Sequence, residues 1–597
     1  MCGIVGYVGT NPDAEDVLLE GLYSLEYRGY DSAGVAFPES TVDVCKREGE
    51  VDALETALGQ SSRGQRIGIG HTRWSTHGPP SDANAHPHTD ADERVAVVHN
   101  GIIENYQSLR DELAESGVQF SSDTDTEVVP HLIGQFLEAG FDDERAFRAA
   151  IDRLEGSYAI AAVFAGSETI YATRQDSPLV VGLGDEANYL ASDVPAFIAH
   201  TDQVVYLEDG TFARLTAESV SVTDGDGQPV DTSIETIEWD AEDAGKSGYD
   251  HYMLKEIYEQ PTALRQCLRG RVDELGGEVT LEGLSSLAHG GPVQFVACGT
   301  SYHAAMYGAQ LLRARGIRAM ATLASEYNDT SAVIDEETLV VGVTQSGETA
   351  DTLRALRMAN RAGATTVALT NTVGSTAARE CDHALYIRAG PEIGVAATKT
   401  FASQQVALAL LAAHLMNTPD RATIQTLRDV PGHVQTLLDT SQARTVAEEF
   451  TDADAYFFIG RGLLYPTALE GALKMKEITY KHAEGFAAGE LKHGPLALVS
   501  EDTPVFALVI GDDEAARKTI GNVKEVEARD APVVAVTDGK SNVERYADAV
   551  LEVPETDPVS GAVVTNIQLQ LVAYWVANEL GRSIDRPRNL AKSVTVE

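Results

Sequence analysis

After residue 290 the sequence repeats one pattern of apolar runs, and this repetition restricts the fold more than any other feature of the chain. Strand-like runs alternate with helical stretches in two series, first VQFVACGTS, LVVGVTQSGET, TVALTN and ALYIRAG, then AYFFIGRG, PVFALVIGDD, PVVAVTDG and AVLEVP. Strands separated by helices form parallel sheets through βαβ units. We therefore predict an internal duplication, with doubly wound parallel-sheet subdomains at 290–435 and 450–585 and a C-terminal tail at 586–597.

The N-terminal part of the chain has a different pattern. Residues 2–237 alternate short apolar runs, such as CGIVGYVG and VAVVHNG, with turns and helical stretches, which predicts an α/β domain rich in sheet. The stretch EWDAEDAGKSGYD at 238–250 is polar and acidic without an apolar period, so we predict a linker and connecting helices over 238–289. A chain of 597 residues is too long for one hydrophobic core, which agrees with several domains.

The charge of the chain excludes some partners. Asp and Glu total 91 against 45 Lys and Arg, a formal net charge of −46 that is spread along the whole sequence. Such a field repels nucleic acid and anionic membranes, so we expect neither as a partner. It favours the surface of a protein from a salt-rich cytoplasm, with an unusually acidic enzyme from an ordinary cytoplasm as the alternative. Because no signal peptide and no apolar run of about 20 residues is present, we expect a cytoplasmic protein.

The five cysteines are scattered and form no CxxC pair. This spacing argues against a disulfide framework and against a zinc site, and it suits a reducing compartment. No HExxH string or clustered His/Cys motif occurs either. We expect neither a metal nor a cofactor.

Cys2 lies where removal of Met1 would give it a free α-amine. That amine could act as the general base for the thiol, as in N-terminal nucleophiles, although a cysteine that begins a buried strand is the simpler alternative. In VVHNGIIEN, a strand ends at Asn100 and Gly101, where an amide side chain and a backbone N–H could stabilise an oxyanion. An Asn-Gly pair at a strand end is also typical of a plain turn.

Two further segments could bind an amino acid. HTRWSTHG (71–78) supplies Arg73, Thr76 and His77, and the fork of an arginine suits bidentate binding of a carboxylate. SDTDTEV (122–128) offers Asp125 as a partner for an ammonium group, or alternatively as a helix N-cap.

Together and in this order, these segments and LEYRGYDSAG (25–34) resemble the glutaminase domain of the class II, N-terminal-nucleophile glutamine amidotransferases. The resemblance implies an αββα fold with Cys2 as nucleophile, its own amine as base, and an oxyanion hole from Asn100 and Gly101. It implies that Trp74 gates the passage of ammonia. The implied glutamine ligands are Arg28, Arg73, Thr76, His77 and Asp125.

Two hydroxyl-rich loops follow strands of the first repeat. VACGTSYHAA (296–305) and GVTQSGETADT (342–352) each run from strand through loop to helix, so their N–H and O–H donors could bind a phosphate at a helix N-terminus. N-capping by Ser301 and Thr349 is the alternative for either loop taken alone. Because both loops would lie at the carboxyl edge of one sheet, we favour a phosphate site.

A charged stripe occurs in the second repeat. Glu470, Lys474, Glu477 and Lys481 are spaced i, i+4, i+7 and i+11 within YPTALEGALKMKEITYKHAEGFAAGELKHGP (465–495). On spacing alone this pattern is typical of a salt-bridged helix face exposed to solvent.

The two repeats resemble paired sugar isomerase (SIS) domains, and with the glutaminase domain they resemble amidotransferases that aminate a ketose phosphate. The resemblance implies Glu477 as the base that moves a proton between C1 and C2, with Lys474 nearby, and Lys592 as the Schiff-base amine. It implies that His493 assists ring opening from a neighbouring subunit, and hence a homodimer. The implied sugar-phosphate ligands are Thr300, Ser301, Thr344, Gln345, Ser346, Thr349 and Val395. Thr344 and Ala397 stand where serine is usual in the family.

The implied substrates are glutamine and fructose 6-phosphate, and the implied products are glutamate and glucosamine 6-phosphate. Phosphoribosyl transfer and asparagine synthesis are rival amidotransferase reactions, but no acidic phosphoribosyl-pyrophosphate motif and no SGGxDS string occurs. A sugar-phosphate-sensing regulator is a rival of another class. Such regulators usually carry a basic DNA-binding segment, which the acidic composition disfavours.

Overall fold

The computed structural model describes residues 2–594 except 60–63, 76, 238–244, 274–276, 286, 288–289, 329–332 and 417–420. The chain divides into two compact units, of which the first comprises Met1–Ala244 with Ala591–Glu597 and the second comprises Gly245–Leu590. The predicted linker falls partly on residues 238–244, which lie outside the described residues. Its remaining part, up to residue 250, contains no helix or strand.

The first unit is built on two antiparallel sheets. An eight-stranded sheet has the order β14-β11-β9-β10-β1-β4-β2-β3, and a six-stranded sheet has the order β13-β12-β8-β7-β6-β5. The strands are β1 (Gly3–Gly9), β2 (Ser32–Pro38), β3 (Val42–Glu48), β4 (Ile67–Arg73), β5 (His88–Thr89), β6 (Val95–Ile103), β7 (Gly156–Phe164), β8 (Ile170–Gln175), β9 (Val180–Leu183), β10 (Ala187–Ala191), β11 (Gln203–Tyr206), β12 (Phe212–Leu215), β13 (Val220–Thr223) and β14 (Glu235–Thr236).

Helices cover the outer faces of both sheets. They are α1 (Ala14–Leu25), α2 (Val51–Leu58), α3 (Tyr106–Glu115), α4 (Val128–Glu138) and α5 (Asp143–Ile151). One apolar core lies between the sheets and includes Ile4, Ile69, Val98 and Ala161. A second core packs the other face of the six-stranded sheet against α3, α4 and α5. The predicted αββα arrangement is confirmed, and the central strands are buried on both faces because both sheets are covered.

The second unit contains two parallel five-stranded sheets of identical order, β18-β17-β19-β20-β21 and β23-β22-β24-β25-β26. Their strands are β17 (Val293–Ala297), β18 (Ala319–Leu323), β19 (Leu339–Val343), β20 (Thr365–Thr370), β21 (His383–Tyr386), β22 (Ala455–Gly460), β23 (His482–Ala487), β24 (Val505–Val509), β25 (Val533–Thr537) and β26 (Ala549–Glu552). A small hairpin, β15 (Val272–Asp273) and β16 (Glu278–Val279), precedes them. The predicted duplication of a doubly wound fold is confirmed.

The helices of the second unit are α6 (Tyr252–Tyr258), α7 (Gln260–Leu268), α8 (Gly299–Ala314), α9 (Ala350–Arg361), α10 (Thr376–Glu380), α11 (Lys399–Met416), α12 (Arg421–Thr440), α13 (Ala443–Phe450), α14 (Leu464–Thr479), α15 (Glu514–Glu527) and α16 (Pro558–Glu579). One continuous apolar cluster includes residues of both sheets, for example Phe295 and Phe506, so the two repeats share a core. Among the described helices, α16 is long and apolar enough to span a bilayer, but 89% of its apolar window is buried inside the protein, as in a core helix.

The eight predicted strand runs of this unit correspond to β17, β19, β20 and β21 and to β22, β24, β25 and β26. None of the predicted runs corresponds to β18 or β23, which are the edge strands next to the first strand of each repeat. An edge strand has fewer covered side chains, and β18 is partly exposed along its whole length, with Met320 and Leu323 each 40% exposed. It therefore lacks the continuous apolar run of a central parallel strand.

Candidate active site

The register of two central strands places Cys2. β1 pairs antiparallel with β4, with Gly3 opposite Thr72, so Cys2 lies beside Arg73 and Trp74 at the end of the pair. The backbone N–H of Trp74 donates to Cys2 Sγ over 3.3 Å. The Trp74 ring packs edge-on against Tyr30, with centroids 5.5 Å apart. The predicted nucleophile and the predicted gate residue are therefore in direct contact.

Asn100 lies on β6 with its amide next to the nucleophile. Its Nδ2 atom donates to the Cys2 carbonyl oxygen at 2.9 Å and to Ser192 Oγ at 2.7 Å. Its Oδ1 atom is 3.0 Å from His71 Nε2. Asn100 is 5% exposed, so a set of fixed hydrogen bonds, not water, decides which way the amide points.

Gly101 follows with φ +122, and a Cβ atom there would lie 2.0 Å from the carbonyl oxygen of Ser157 on β7. Only glycine fits at this approach of two strands. The Asn-Gly pair is thus part of the sheet, paired with β7 through Asn100 and Ala159, and not the turn that the dipeptide also suggested.

The predicted glutamine ligands lie around these residues, apart from Thr76, which is outside the described residues. Arg73 is 3% exposed, and its guanidinium donates to Ser75 Oγ at 3.2 Å and to the carbonyls of His77 and Gly78. Burial lowers the pKa of Arg73, while the nearby Cys2, Asp31 and Asp125 oppose that effect. The buried Nδ1 atom of His77 has no hydrogen-bond partner among the described residues.

Asp125 and Arg28 are both buried. One Asp125 oxygen accepts the backbone N–H of Ile103 at 2.9 Å, which ties it to the end of β6. Arg28 donates from Nε to the Cys2 carbonyl at 3.2 Å and from Nη1 to Asp193 at 3.2 Å. The Arg28 guanidinium thereby holds the backbone of the nucleophile.

In the second unit, the two hydroxyl-rich loops lie at the carboxyl edge of one parallel sheet. β17 leads into α8 and the neighbouring β19 leads into α9. The N-cap of α8 is Cys298, so Ser301 lies inside the first turn, and the Thr349 side chain at the start of α9 makes no capping bond. The N-capping alternative is therefore wrong for Ser301, whereas Thr349 occupies the N-cap position of α9 without a capping bond from its side chain.

The loop after β19 has a fixed shape. The Thr344 hydroxyl accepts the N–H of Gly347 at 3.1 Å, and the Gln345 carbonyl accepts from Thr370 and Asn371. Gly347 has φ +71, and a Cβ atom would lie 2.1 Å from Ser375 Oγ. The Ser346 hydroxyl accepts the N–H of Glu348 at 3.1 Å.

Three residues of the charged stripe lie on α14, and two of them face inward, whereas Lys481 follows the end of the helix. Glu470 and Lys474 are fully buried, and Lys474 Nζ lies 3.4 Å from Glu470 Oε1 and 2.5 Å from Glu477 Oε2. Thr300 of the first repeat donates to Glu470 at 3.0 Å and accepts from Lys474 at 3.2 Å. Burial opposes the charge of Lys474, but Glu477 and Glu470 outweigh it and raise its pKa. The interpretation of the stripe as a solvent-exposed helix face is therefore wrong for Glu470 and Lys474.

Three other predicted residues lie outside the cluster formed by Glu470, Lys474 and Glu477. Val395 is buried and donates its backbone N–H to the Asp585 carbonyl at 3.1 Å. His493 is exposed at the end of the short turn Ala488–His493 and takes no part in the hydrogen bonds of the Lys474 cluster within the described part of the chain. Lys592 lies in Ala591–Glu597, which belongs to the first unit.

Sequence analysis did not identify three polar residues of the second unit that contact predicted site residues or one another. Glu470 was only a member of the stripe, and His303, whose Nδ1 lies 2.8 Å from Glu470 Oε2, was not singled out. Buried Gln404 donates to Ser301 Oγ at 2.9 Å. His303 lies two residues after Ser301 on α8, the helix into which the first hydroxyl-rich loop leads. Its position next to the predicted phosphate site could have identified it.

Family models match most of this architecture. A glutamine amidotransferase domain model matches residues 71–199, and an SIS domain model matches residues 286–414 and 449–580. A solved C-terminal domain of glucosamine-fructose-6-phosphate aminotransferase from Francisella tularensis is 39% identical, with a TM-score of 0.53 over 57% of this chain and 100% of that domain.

Curated relatives match over the full length of both chains. Proteins named glutamine–fructose-6-phosphate aminotransferase [isomerizing] from Halobacterium salinarum, Symbiobacterium thermophilum and Methanosarcina acetivorans are 52%, 49% and 47% identical, each over 100% of both chains. The chain therefore matches both the domain models and, along its whole sequence, these curated relatives. The chain belongs to the isomerizing glutamine–fructose-6-phosphate aminotransferase family.

Proposed function

We propose that this enzyme converts L-glutamine and D-fructose 6-phosphate to L-glutamate and D-glucosamine 6-phosphate. Glutamine is hydrolysed in the first unit, ammonia is transferred internally, and the second unit aminates and isomerises the sugar. The observation that carries the proposal is that one chain holds both a Cys2–Asn100 pair and a Lys474–Glu477 ion pair whose lysine contacts Thr300 of the first hydroxyl-rich loop. Neither half alone would make an amino sugar from glutamine.

In the glutaminase half, the Cys2 thiol attacks the side-chain amide carbon of glutamine once Met1 has been removed. The α-amine of Cys2 takes the thiol proton and delivers it to the leaving ammonia. Asn100 Nδ2 and the Gly101 N–H stabilise the tetrahedral oxyanion. Arg28, Arg73, Thr76, His77 and Asp125 hold the nucleophile and the amino acid end of glutamine, and Trp74, which contacts Cys2, gates ammonia.

In the isomerase half, Ser301, Gln345, Ser346 and Thr349 bind the phosphate, with Thr344 shaping their loop. Thr300 and Val395 lie against the sugar. His493 assists ring opening, Lys592 forms a Schiff base with the open-chain ketose, and Glu477 moves the proton between C1 and C2. The Lys474 ammonium holds Glu477 ionised and in place, because a buried carboxylate is a useful base only when its charge is partly compensated.

We assign the glutaminase domain to 2–237, the linker and connecting helices to 238–289, the SIS domains to 290–435 and 450–585, and the tail to 586–597. We also propose a cytoplasmic homodimer. An exposed His493 close to Leu498, which is 61% exposed, is compatible with completion of the site by a second copy. Light scattering of the purified protein in high salt tests this, since a monomer with full activity would exclude a shared His493.

The test of the function is a coupled product assay in high salt. Wild-type protein receives glutamine and fructose 6-phosphate, and glutamate and glucosamine 6-phosphate are quantified together. Cys2→Ala should form neither product from glutamine, yet should form the amino sugar when ammonium salt is supplied. Glu477→Gln should keep glutamate release and lose the amino sugar.

Each outcome has a definite meaning. Near-equal yields of both products in wild type support coupled synthesis. Glutamate without amino sugar would mean that fructose 6-phosphate is the wrong acceptor, and other phosphosugars would be tried. If folded wild-type protein forms neither product, the enzymatic function fails and a sugar-phosphate sensor becomes the better interpretation.

A further inference from the structure

Behind the oxyanion residue Asn100 lies a cluster of four buried histidines, which we call the histidine stack: His71, His86, His88 and His99. The ring of His86 stacks on His71 with centroids 4.2 Å apart, and lies 4.9 Å from the ring of His88 and 6.5 Å from that of His99. None of these residues was singled out from the sequence. One of them, His71, makes a direct hydrogen bond to the Asn100 side chain.

The hydrogen bonds of His71 determine its tautomer. His71 Nε2 lies 3.0 Å from the His99 carbonyl oxygen and 3.0 Å from Asn100 Oδ1. A backbone carbonyl can only accept, so Nε2 must carry the proton and donate. The other ring nitrogen, Nδ1, is buried without a partner among the described residues, which leaves no acceptor for a second proton.

The tautomer of His71 in turn determines the orientation of the Asn100 amide. Because Nε2 donates, the atom of Asn100 that faces it has to be Oδ1, and Nδ2 then faces Cys2 and Ser192. A rotated amide would turn Nδ2 against the N–H of His71 and Oδ1 against the Cys2 carbonyl. Both contacts would be repulsive, and a carbonyl oxygen near the developing oxyanion would destabilise it.

We infer that His71 is a positioning residue of the glutaminase reaction: it fixes the Asn100 amide so that its N–H groups face the nucleophile. The fixed His99 carbonyl selects the tautomer, and the tautomer selects the amide orientation. Burial of the ring keeps it neutral, since burial lowers the pKa of His71 to about 3. The inference rests on the proposed function, because orientation of Asn100 has an effect only if an oxyanion forms at this site.

Three substitutions of His71 distinguish the effect of the position of the hydrogen-bond donor from the effect of side-chain volume. His71→Gln places an amide N–H near the position of Nε2, His71→Asn places it near the position of Nδ1, and His71→Met fills the space without a donor. With saturating glutamine, kcat for glutamate release should fall about 100-fold in His71→Asn and His71→Met, and by less than about 10-fold in His71→Gln. KM for glutamine should stay within about threefold, because Arg73 and Asp125 are unchanged.

Matched measurements exclude a general structural effect. Ammonia-dependent amino sugar formation reports on the second unit and should be unchanged in every folded variant. His131→Asn, a buried histidine on α4 that contacts Glu127 instead of Asn100, should keep wild-type kcat. If His71→Asn does not fold, the comparison of His71→Gln with His71→Met makes the same distinction.

A double-substitution cycle tests whether His71 acts through Asn100. In an Asn100→Ala background, the His71→Met change should lower kcat no further, because there is no amide left to orient. Equal kcat values for His71→Gln and His71→Met, or additive losses of kcat in the cycle, would overturn the inference. The proposed function would still stand in that case, because the wild-type protein would still release glutamate. A folded wild type that releases no glutamate would overturn the proposed function, and the positioning role with it.

Discussion

Lys474 Nζ lies 2.5 Å from Glu477 Oε2, one helical turn along α14, and 3.4 Å from Glu470 Oε1 on the preceding turn. One fully buried ammonium group therefore compensates two carboxylates, of which Glu470 is fully buried and Glu477 is 20% exposed. Thr300, from the other repeat, bridges Lys474 and Glu470. The contacts of Thr300 join the two repeats at the point where the sugar is proposed to react. The balance of charge around Lys474 should therefore affect both the stability of the unit and its catalysis.

Replacing Lys474 by methionine should remove that balance. Two carboxylates would face each other with little solvent, and we expect the free energy of unfolding of the second unit to fall by about 3–5 kcal/mol. Amino sugar formation should be lost, while glutamate release at Cys2 continues. Urea unfolding and the coupled product assay measure the two effects.

The matched control is Lys476→Met on the same helix, since Lys476 is exposed. It should change the unfolding free energy by no more than about 0.5 kcal/mol. Equal stability of Lys474→Met and Lys476→Met would show that the buried ion pair does not stabilise this unit.

Gly347→Ala should weaken sugar-phosphate binding. The residue has φ +71, and a Cβ atom would lie 2.1 Å from Ser375 Oγ and 2.4 Å from Ser375 Cβ, so the loop that carries Ser346 and Thr349 would have to move. We expect KM for fructose 6-phosphate to rise at least about 10-fold, with KM for glutamine unchanged. Initial rates with each substrate varied in turn check this.

Gly521→Ala is a suitable control for the loss of a glycine. Gly521 is exposed in the interior of α15, where a Cβ atom meets nothing within 4 Å. It should raise stability by about 0.5–1 kcal/mol, because alanine favours the helix and reduces the entropy of the unfolded chain. An unchanged KM in Gly347→Ala would mean that this loop does not bind the phosphate.

The sequence predicted those site residues whose chemistry depends on local neighbours. Cys2 was recognisable as a candidate nucleophile because its position gives it an α-amine once Met1 is removed. Asn100–Gly101 were recognisable as a candidate oxyanion hole because they follow an apolar run, although β6 continues through them to Ile103. The candidate phosphate loops were recognisable because hydroxyl residues follow strands and precede helices. In each case the strand or helix that positions the residue has a clear local pattern.

Residues that depend on long-range contacts could not be predicted. On spacing alone Glu470 and Lys474 belong to a solvent-exposed stripe, and only the family resemblance implied a role for Lys474. In the structure both residues are buried and both contact Thr300 of the other repeat. The role of His71 depends on the His99 carbonyl of a strand in the other sheet, which no spacing reveals. The edge strands β18 and β23 were missed because an uncovered strand does not need a continuous apolar run.

Gly101→Ala should abolish glutamine hydrolysis selectively. A Cβ atom at φ +122 would lie 2.0 Å from the Ser157 carbonyl oxygen, so β6 and β7 would have to separate where the Gly101 N–H is proposed to stabilise the oxyanion. We expect kcat for glutamate release to fall at least about 100-fold. Ammonia-dependent amino sugar formation, which does not use this site, should persist, and its loss would indicate a global folding defect instead.

The histidine stack should make the first unit sensitive to mild acid. Burial lowers the pKa of all four histidines, that of His71 to about 3. Below about pH 6.5 the unfolded chain therefore binds protons that the folded chain does not, so the free energy of unfolding falls as the pH falls. Each histidine contributes a slope of up to about 1.4 kcal/mol per pH unit.

Carboxylates act in a lower pH range. Burial opposes ionisation of Glu127, but the nearby His131 and the hydrogen bonds from Ser122 and Ser121 outweigh it and hold its pKa below the usual value. The stability due to Glu127 is therefore lost only as the pH falls below about 4.5. Between pH 6.5 and 5 the histidine stack should dominate the pH dependence of the first unit.

His86→Leu should reduce this dependence. It removes one buried histidine whose ring, within the described part of the chain, accepts a single long hydrogen bond, from the His99 N–H at 3.4 Å. The slope between pH 6.5 and 5 should therefore fall by up to about 1.4 kcal/mol per pH unit. Hydrogen exchange of β6 peptides, measured by mass spectrometry and corrected for the intrinsic exchange rate, gives the unfolding free energy of the first unit at each pH. A wild-type slope near zero in this range would mean that the stack is protonated in the folded protein, against the burial of its rings.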